Sequence, residues 1–127
     1  MPHTPGIYVS AADHANLSLL AVPEPLRGKL RRARVVPSAA VPPDVVTLQS
    51  TVTLEDAATG QRTVVSLVYP AEADAARGRL SVLDPVGMEL FGARLGDLIG
   101  AGAARLRVAQ LAYQPERSMR RHLVIRD

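Results

Sequence analysis

The chain has 127 residues, a formal net charge of +3 at pH 7 and no cysteine, a size that suits one compact domain or one domain with a small appendage. Without cysteine there are no disulfides, no thiolate catalysis and no cysteine zinc sites, which fits a reducing cytoplasm. The only aromatic residues are Tyr8, Tyr69, Phe91 and Tyr113, so the core falls to aliphatic side chains and base stacking is disfavoured as a binding mode. No apolar run approaches the roughly 18 residues that span a bilayer, and the first residues lack the charged and apolar regions of a signal peptide. A cytosolic chain with no membrane contact is expected.

In chain order, Ile7-Tyr8-Val9 is a short apolar segment, read as a strand or an anchoring tail. Ser10 followed by Asp13 has the form of a capping box, and Leu17, Leu20 and Ala21 at i, i+3 and i+4 extend the helix from about 11 to 21. Pro23 and Pro25 end it. A second helix is expected from about 25 to 35, with Leu26, Leu30 and Ala33 on one face and Arg27, Arg31 and Arg34 on another. Both are too short to be stable alone in water, so the reading is an antiparallel hairpin or a pair lying on a sheet. Pro37, Pro42 and Pro43 make the next stretch an extended linker.

The remainder reads as an antiparallel sheet with one helix. Val46 to Leu54 is extended with a break near Gln49-Ser50. Asp56 to Gly60 is a turn with a glycine where positive φ is wanted. Thr63 to Tyr69 is a β-rich run stopped by Pro70, and 71–78 is a loop with a helical turn near 73–76. In Ser81-Val-Leu-Asp-Pro-Val-Gly-Met-Glu-Leu-Phe-Gly-Ala-Arg-Leu-Gly-Asp97, Leu80 and Val82 flank Ser81 with the two-residue period of a half-buried strand. Asp84 is a good N-cap, Pro85 sits at the first helical position and Gly92 supplies a left-handed stop. Strands are expected near 97–100 and over 104–113. The segment from Glu116 to Asp127 is read as a basic tail in which Leu123 to Ile125 adds a short strand.

Charge is unevenly spread. From Leu26 to Pro43 there are five cations, Arg27, Lys29, Arg31, Arg32 and Arg34, and no carboxylate, whereas 44–114 holds six cations against eight carboxylates. Such a block is ordinarily a solvated helix face, and alternatively touches phosphates or an acidic protein surface. No catalytic constellation stands out. His3, His14 and His122 are far apart, no serine sits in a nucleophile-elbow string, and Gly87, Gly92 and Gly96 lack phosphate-loop spacing. The carboxylate pairs Glu55-Asp56 and Glu72-x-Asp74 fall at turns, where acids are ordinary. The chain is expected not to be an enzyme and to need no cofactor or metal.

The Ser81–Asp97 string resembles the signature of the carboxy-terminal domain of the Gre transcript-cleavage factors, roughly S-x-x-S-P-x-G-x-A-L-x-G-x-x-x-G-D. Pro43-Asp-Val-Val-Thr-Leu-Gln-Ser50, Leu67-Val-Tyr-Pro70 and Ala112-Tyr-Gln-Pro115 resemble further strings of the Rnk-like group, the regulators of nucleoside diphosphate kinase. The four strings run in order over about 43–115. The resemblance implies an α+β fold of the FK506-binding-protein kind, an antiparallel sheet wrapped around one short helix, here preceded by a short helical hairpin. It divides the chain into a hairpin and Pro-rich linker (1–42), the Gre-like domain (43–115) and a basic tail (116–127).

In Gre factors, the resemblance further implies, a long coiled coil enters the polymerase secondary channel and acidic residues at its tip help hold a catalytic magnesium ion. Here each arm is a stub of about 11 residues, or ~16 Å, and its tip, Val22-Pro-Glu-Pro25, has Glu24 as its one carboxylate. The implied function is an RNA polymerase-binding regulator that occupies the channel mouth without stimulating RNA cleavage. Asp84, Pro85, Val86 and Gly87 would be the docking edge, with the Arg27–Arg34 block as an electrostatic contact; Asp84 stands where Gre factors commonly have serine. The alternative partner is nucleoside diphosphate kinase, bound directly. Direct nucleic-acid binding is expected to be weak. Peptidyl-prolyl isomerase activity, a third reading by fold analogy alone, lacks an aromatic-lined pocket.

Overall fold

The structure, a computed structural model, describes residues 7–101 and 104–116. Among the described residues, strands and α-helices follow one another as β1 (Tyr8–Ser10), α1 (Ala11–Ser18), α2 (Leu26–Arg32), β2 (Arg34–Val36), β3 (Thr51–Asp56), β4 (Arg62–Val68), β5 (Arg79–Ser81), α3 (Pro85–Leu90), β6 (Leu98–Ala101) and β7 (Ala104–Tyr113). Five strands form one sheet in the order β5-β4-β3-β7-β6, and β1 and β2 form a separate parallel ribbon.

The amino-terminal unit differs from the expected hairpin. Ile7-Tyr8-Val9 contributes a true strand, and the ribbon it makes with Arg34-Val-Val36 encloses both helices. The β-branched Val35 and Val36 favour extended backbone, and Ala33 already has ψ 147°, so α2 ends at Arg32 and not near 35. The first helix also stops early, at Ser18, and of its expected apolar stripe only Leu17 is buried. Its start is as expected: the Ser10 hydroxyl accepts the Asp13 N–H at 3.0 Å. The Pro-rich stretch is not simply extended. Ser38–Ala40 makes a 3-10 turn, and Val41 beyond it is fully buried.

The five-stranded sheet is mixed, where an antiparallel one was expected. β3 pairs antiparallel with β4 and β7, and β6 with β7, but β5 runs parallel to β4 through Leu67↔Leu80. A parallel pair needs a crossover, and the two 3-10 turns Pro70–Glu72 and Ala75–Arg77 supply it. The β3–β4 turn is as read: the Asp56 carboxylate accepts the Ala58 and Thr59 N–H groups, and Gly60 takes φ 77°. The break before β3 is a left-handed Gln49, φ 70°, whose N–H reaches the Leu67 carbonyl.

One apolar cluster joins Val9, Leu17, Leu26 and Leu30 of the amino-terminal unit to Val52, Leu54, Leu67, Val82, Leu90, Phe91 and Val108. The hydrophobic core therefore crosses residue 42, and the helices are seated on the sheet domain. Apolar burial of this kind contributes roughly 25 cal/mol per Å². No helix among the described residues is long and apolar enough to cross a membrane.

Candidate functional site

The turn into α3 is built as its sequence dictates. The Asp84 carboxylate accepts the Val86 N–H at 2.9 Å, the Asp84 carbonyl receives the Met88 N–H, and Pro85 occupies the first helical position, where no N–H is needed. Pro85 is exposed, and Asp84 and Val86 are half-buried. Gly87 is buried. A Cβ there would overlap the Ser81 carbonyl and lie 3.2 Å from the Val82 Cα, so this glycine lets α3 press on the backbone that leaves β5. It packs helix against strand backbone and, being buried, offers little surface to a partner. After the helix, Gly92 has φ 85°, and a Cβ there would strike the Ile7 side chain.

The basic block divides in three. Lys29 turns inward: its ammonium donates to the carbonyls of Met88 at 2.7 Å, Glu89 at 3.1 Å and Phe91 at 2.7 Å. It satisfies the open carbonyl end of α3. Burial pulls its pKa down to about 8, against the pull of Glu89 upward; the three carbonyl acceptors favour the charged form at neutral pH. Lys29 is thus not a free surface charge, contrary to its place in an exposed block. Arg27 and Arg31 lean on Glu24 at 3.7 and 3.4 Å, and the other Glu24 oxygen accepts the Gly28 N–H at 3.0 Å. Arg32 and Arg34 are exposed, with Arg34 over the Tyr8 ring at 5.6 Å and Arg94 also at 5.6 Å from that ring. Arg94 in turn pairs with Asp44 at 3.2 Å.

Between the helices an open groove of about 610 Å³ is floored by Leu17, Val22 and Leu30 and rimmed by His14, Arg27 and Arg31.

The other three strings meet at one end of the sheet, although up to 69 residues apart in sequence. The Gln114 amide donates to the carbonyls of Pro42 and Val45 at 2.8 and 2.7 Å. The Thr47 hydroxyl donates to Glu116 at 2.7 Å and lies 2.9 Å from the Ser50 hydroxyl. Tyr69 donates to Asp13 at 3.1 Å and accepts from the Asn16 amide. Burial, with Glu116 nearby, pushes the Asp13 carboxyl up to about 6. Glu116, read as the first residue of a tail, is buried; the rest of that tail, with Leu123 to Ile125, lies outside the described residues. Sequence reading missed Asp13 and Glu116 as partners because their contacts are set by tertiary approach; Glu24 it missed although Arg27, Gly28 and Arg31 lie within seven residues of it. Among the described residues no group of three or more His, Asp or Glu side chains forms a metal site.

Fold and site together define a small α+β domain: a mixed sheet, a capped helix with an exposed proline edge, and polar side chains that lock loops. The chain belongs to the GreA/GreB transcription elongation factor family, whose carboxy-terminal model matches residues 41–105. It is 39% identical over 102 residues to the regulator of nucleoside diphosphate kinase of Escherichia coli K12, covering 76% of this chain and 75% of that protein. It is 36% identical over 93 residues to transcription elongation factor GreA of Trichlorobacter lovleyi, covering 70% of this chain and 59% of GreA. The solved GreA/GreB factor from Nitrosomonas europaea superposes with a TM-score of 0.76 at 33% identity, over 87% of this chain and 100% of that one. These relatives are named as regulators or elongation factors, and the chain shares the α+β architecture of the solved factor.

Proposed function

We propose that this protein is an RNA polymerase-binding regulator of transcription that docks at the secondary-channel mouth without stimulating RNA cleavage. The observation that carries the reading is the tip of the helical unit. Its helices have 8 and 7 residues, a reach of only about 10–12 Å at 1.5 Å per residue. The one carboxylate of the tip Val22–Pro25, Glu24, is already engaged by the Gly28 N–H, Arg27 and Arg31. A magnesium ion wants oxygen donors carried to the reacting phosphates, and this tip offers neither length nor a free acid. Docking falls to the 43–115 unit, read as an FK506-binding-protein-like domain, through Asp84, Pro85 and Val86. Arg27, Arg31, Arg32 and Arg34 add electrostatic steering, and the protein works in the cytoplasm without a cofactor.

The test is co-purification with core RNA polymerase and its loss on adding excess Gre factor, alongside RNA cleavage in backtracked complexes. Binding without cleavage supports the reading; no binding at micromolar concentration overturns it. A second reading, direct binding to nucleoside diphosphate kinase, is favoured by the 39% identity to the regulator of that enzyme. Calorimetry with the purified kinase decides it.

A further inference from the structure

The outer face of the five-stranded sheet has no role in the docking turn, and its register sets out its chemistry. Residues paired across strands share a face. Arg62 and Arg107 both oppose Glu55, Leu98 opposes Arg107, Arg79 opposes Ser66, Val64 opposes Thr53, and Tyr113 opposes Thr51. Side-chain bonds confirm the common face: Arg62 to Glu55 at 3.1 Å, Thr53 to Gln110 at 3.3 Å, and the Thr51 and Ser66 hydroxyls 2.9 Å apart. Arg105, two residues before Arg107 on the same strand, adds a fourth guanidinium. Four of the six cations in 44–114 therefore gather on one face against Glu55, with Glu72 at its edge. Arg79 and Arg105 make no ion pair among the described residues.

The same face is not simply polar. Val64 is 60% exposed, Leu98 48% and Tyr113 46%. Beside Tyr113 and Arg79 the surface dips into a concavity of about 410 Å³, also lined by Gln49, Thr51, Ser66 and Glu72. Arginine and tyrosine around exposed aliphatic side chains are the composition of a protein interface.

We propose that this face docks an acidic, partly apolar segment of a partner protein, its carboxylates on Arg79, Arg105 and Arg107 and its apolar side chains on Val64, Leu98 and Tyr113. Charge decides among the occupants. The residues of this chain after Glu116 carry Arg117, Arg120, Arg121 and Arg126 against Asp127, and a second copy meeting it face to face would present the same surplus of arginine, so both are repelled. A single-stranded nucleic acid would supply phosphates, but its bases want several aromatic platforms; this face has Tyr113 alone, and Val64 and Leu98 would be left uncovered.

The test uses two fluorescent probes on the full chain, a peptide of alternating glutamate and leucine and an oligothymidylate of equal length, read by anisotropy at low and high salt. The peptide is expected to bind, more tightly at low salt, and to lose about tenfold or more in affinity in the Arg79→Glu, Arg107→Glu double variant. Arg77→Glu, in the turn before β5, should leave its binding unchanged. Should circular dichroism show the double variant unfolded, the Val64→Ser, Leu98→Ser pair replaces it, with a severalfold loss expected. No peptide binding, equal weakening by Arg77→Glu, or tighter binding of the oligothymidylate overturns the proposal.

Discussion

The ammonium of Lys29 in α2 donates to the carbonyl of Phe91, 2.7 Å away at the end of α3. With the Met88 and Glu89 carbonyls also accepting, one side chain ties the amino-terminal unit to the helix that follows the Asp84 turn. A residue that reads as part of a charged surface is a fastening between two elements 62 residues apart.

Replacing Lys29 with Met keeps much of the stem packing but leaves those carbonyls without their donor. The expected cost is about 2–4 kcal/mol, from lost charge-assisted bonds to partly buried acceptors. Urea denaturation followed by circular dichroism measures it. Arg32→Met, at an exposed position of the same helix, should stay within about 0.5 kcal/mol. Equal effects at the two positions would show that the bond to α3 carries no weight.

Asp84→Arg separates stability from docking. Losing the cap costs about 0.5–2 kcal/mol, so the protein should stay folded, while polymerase affinity drops by about 1–3 kcal/mol. The Arg27→Gln, Arg31→Gln, Arg34→Gln variant should instead slow association and flatten the salt dependence. Binding kinetics at low and high salt distinguish the two; if the arginine variant abolishes binding and Asp84→Arg does not, the docking turn is wrongly placed.

Asp13 makes stability fall as pH rises through the weakly acid range. Its carboxyl is near 6 when folded against 3.8 as the ordinary value, so between these values the folded state holds more protons than the unfolded one. Stability from this group is complete below about pH 4 and is lost as the pH passes 6. Asp13→Asn should remove that slope and raise stability at pH 7.5 by up to about 2–3 kcal/mol. Thermal melts from pH 4 to 8 check it, the decisive comparison being the slope in variant and native protein.

Gly87→Ala should destabilise by about 1–3 kcal/mol, because the added methyl meets the Ser81 carbonyl and the helix must back away from β5. Gly96→Ala gives a contrasting case: the space around Gly96 is open, and the strain there comes from its φ of 95°. Melting temperatures of the two variants, with near-ultraviolet spectra for Phe91 packing, reveal whether close approach or backbone freedom dominates.

Local chemistry was legible in the sequence. The Ser10 and Asp84 caps, the Pro85 start, the Asp56 turn and the Gln49 break each depend on residues within a few positions of one another, where side-chain reach and allowed φ decide the outcome. The four family strings likewise stood out, since each is continuous in the chain. Tertiary structure alone decided the rest. Whether Arg34-Val-Val36 continues a helix or becomes a strand depends on Tyr8–Ser10 lying alongside. Whether β5 runs parallel or antiparallel depends on a crossover built from two short turns. Lys29, Asp13 and Glu116 took their roles from partners more than fifty residues away, and the arginines of the sheet became one face only through pairing register. Sequence period fixes which residues can share a side of a strand; only the folded sheet determines which strands are neighbours and therefore which charges stand together.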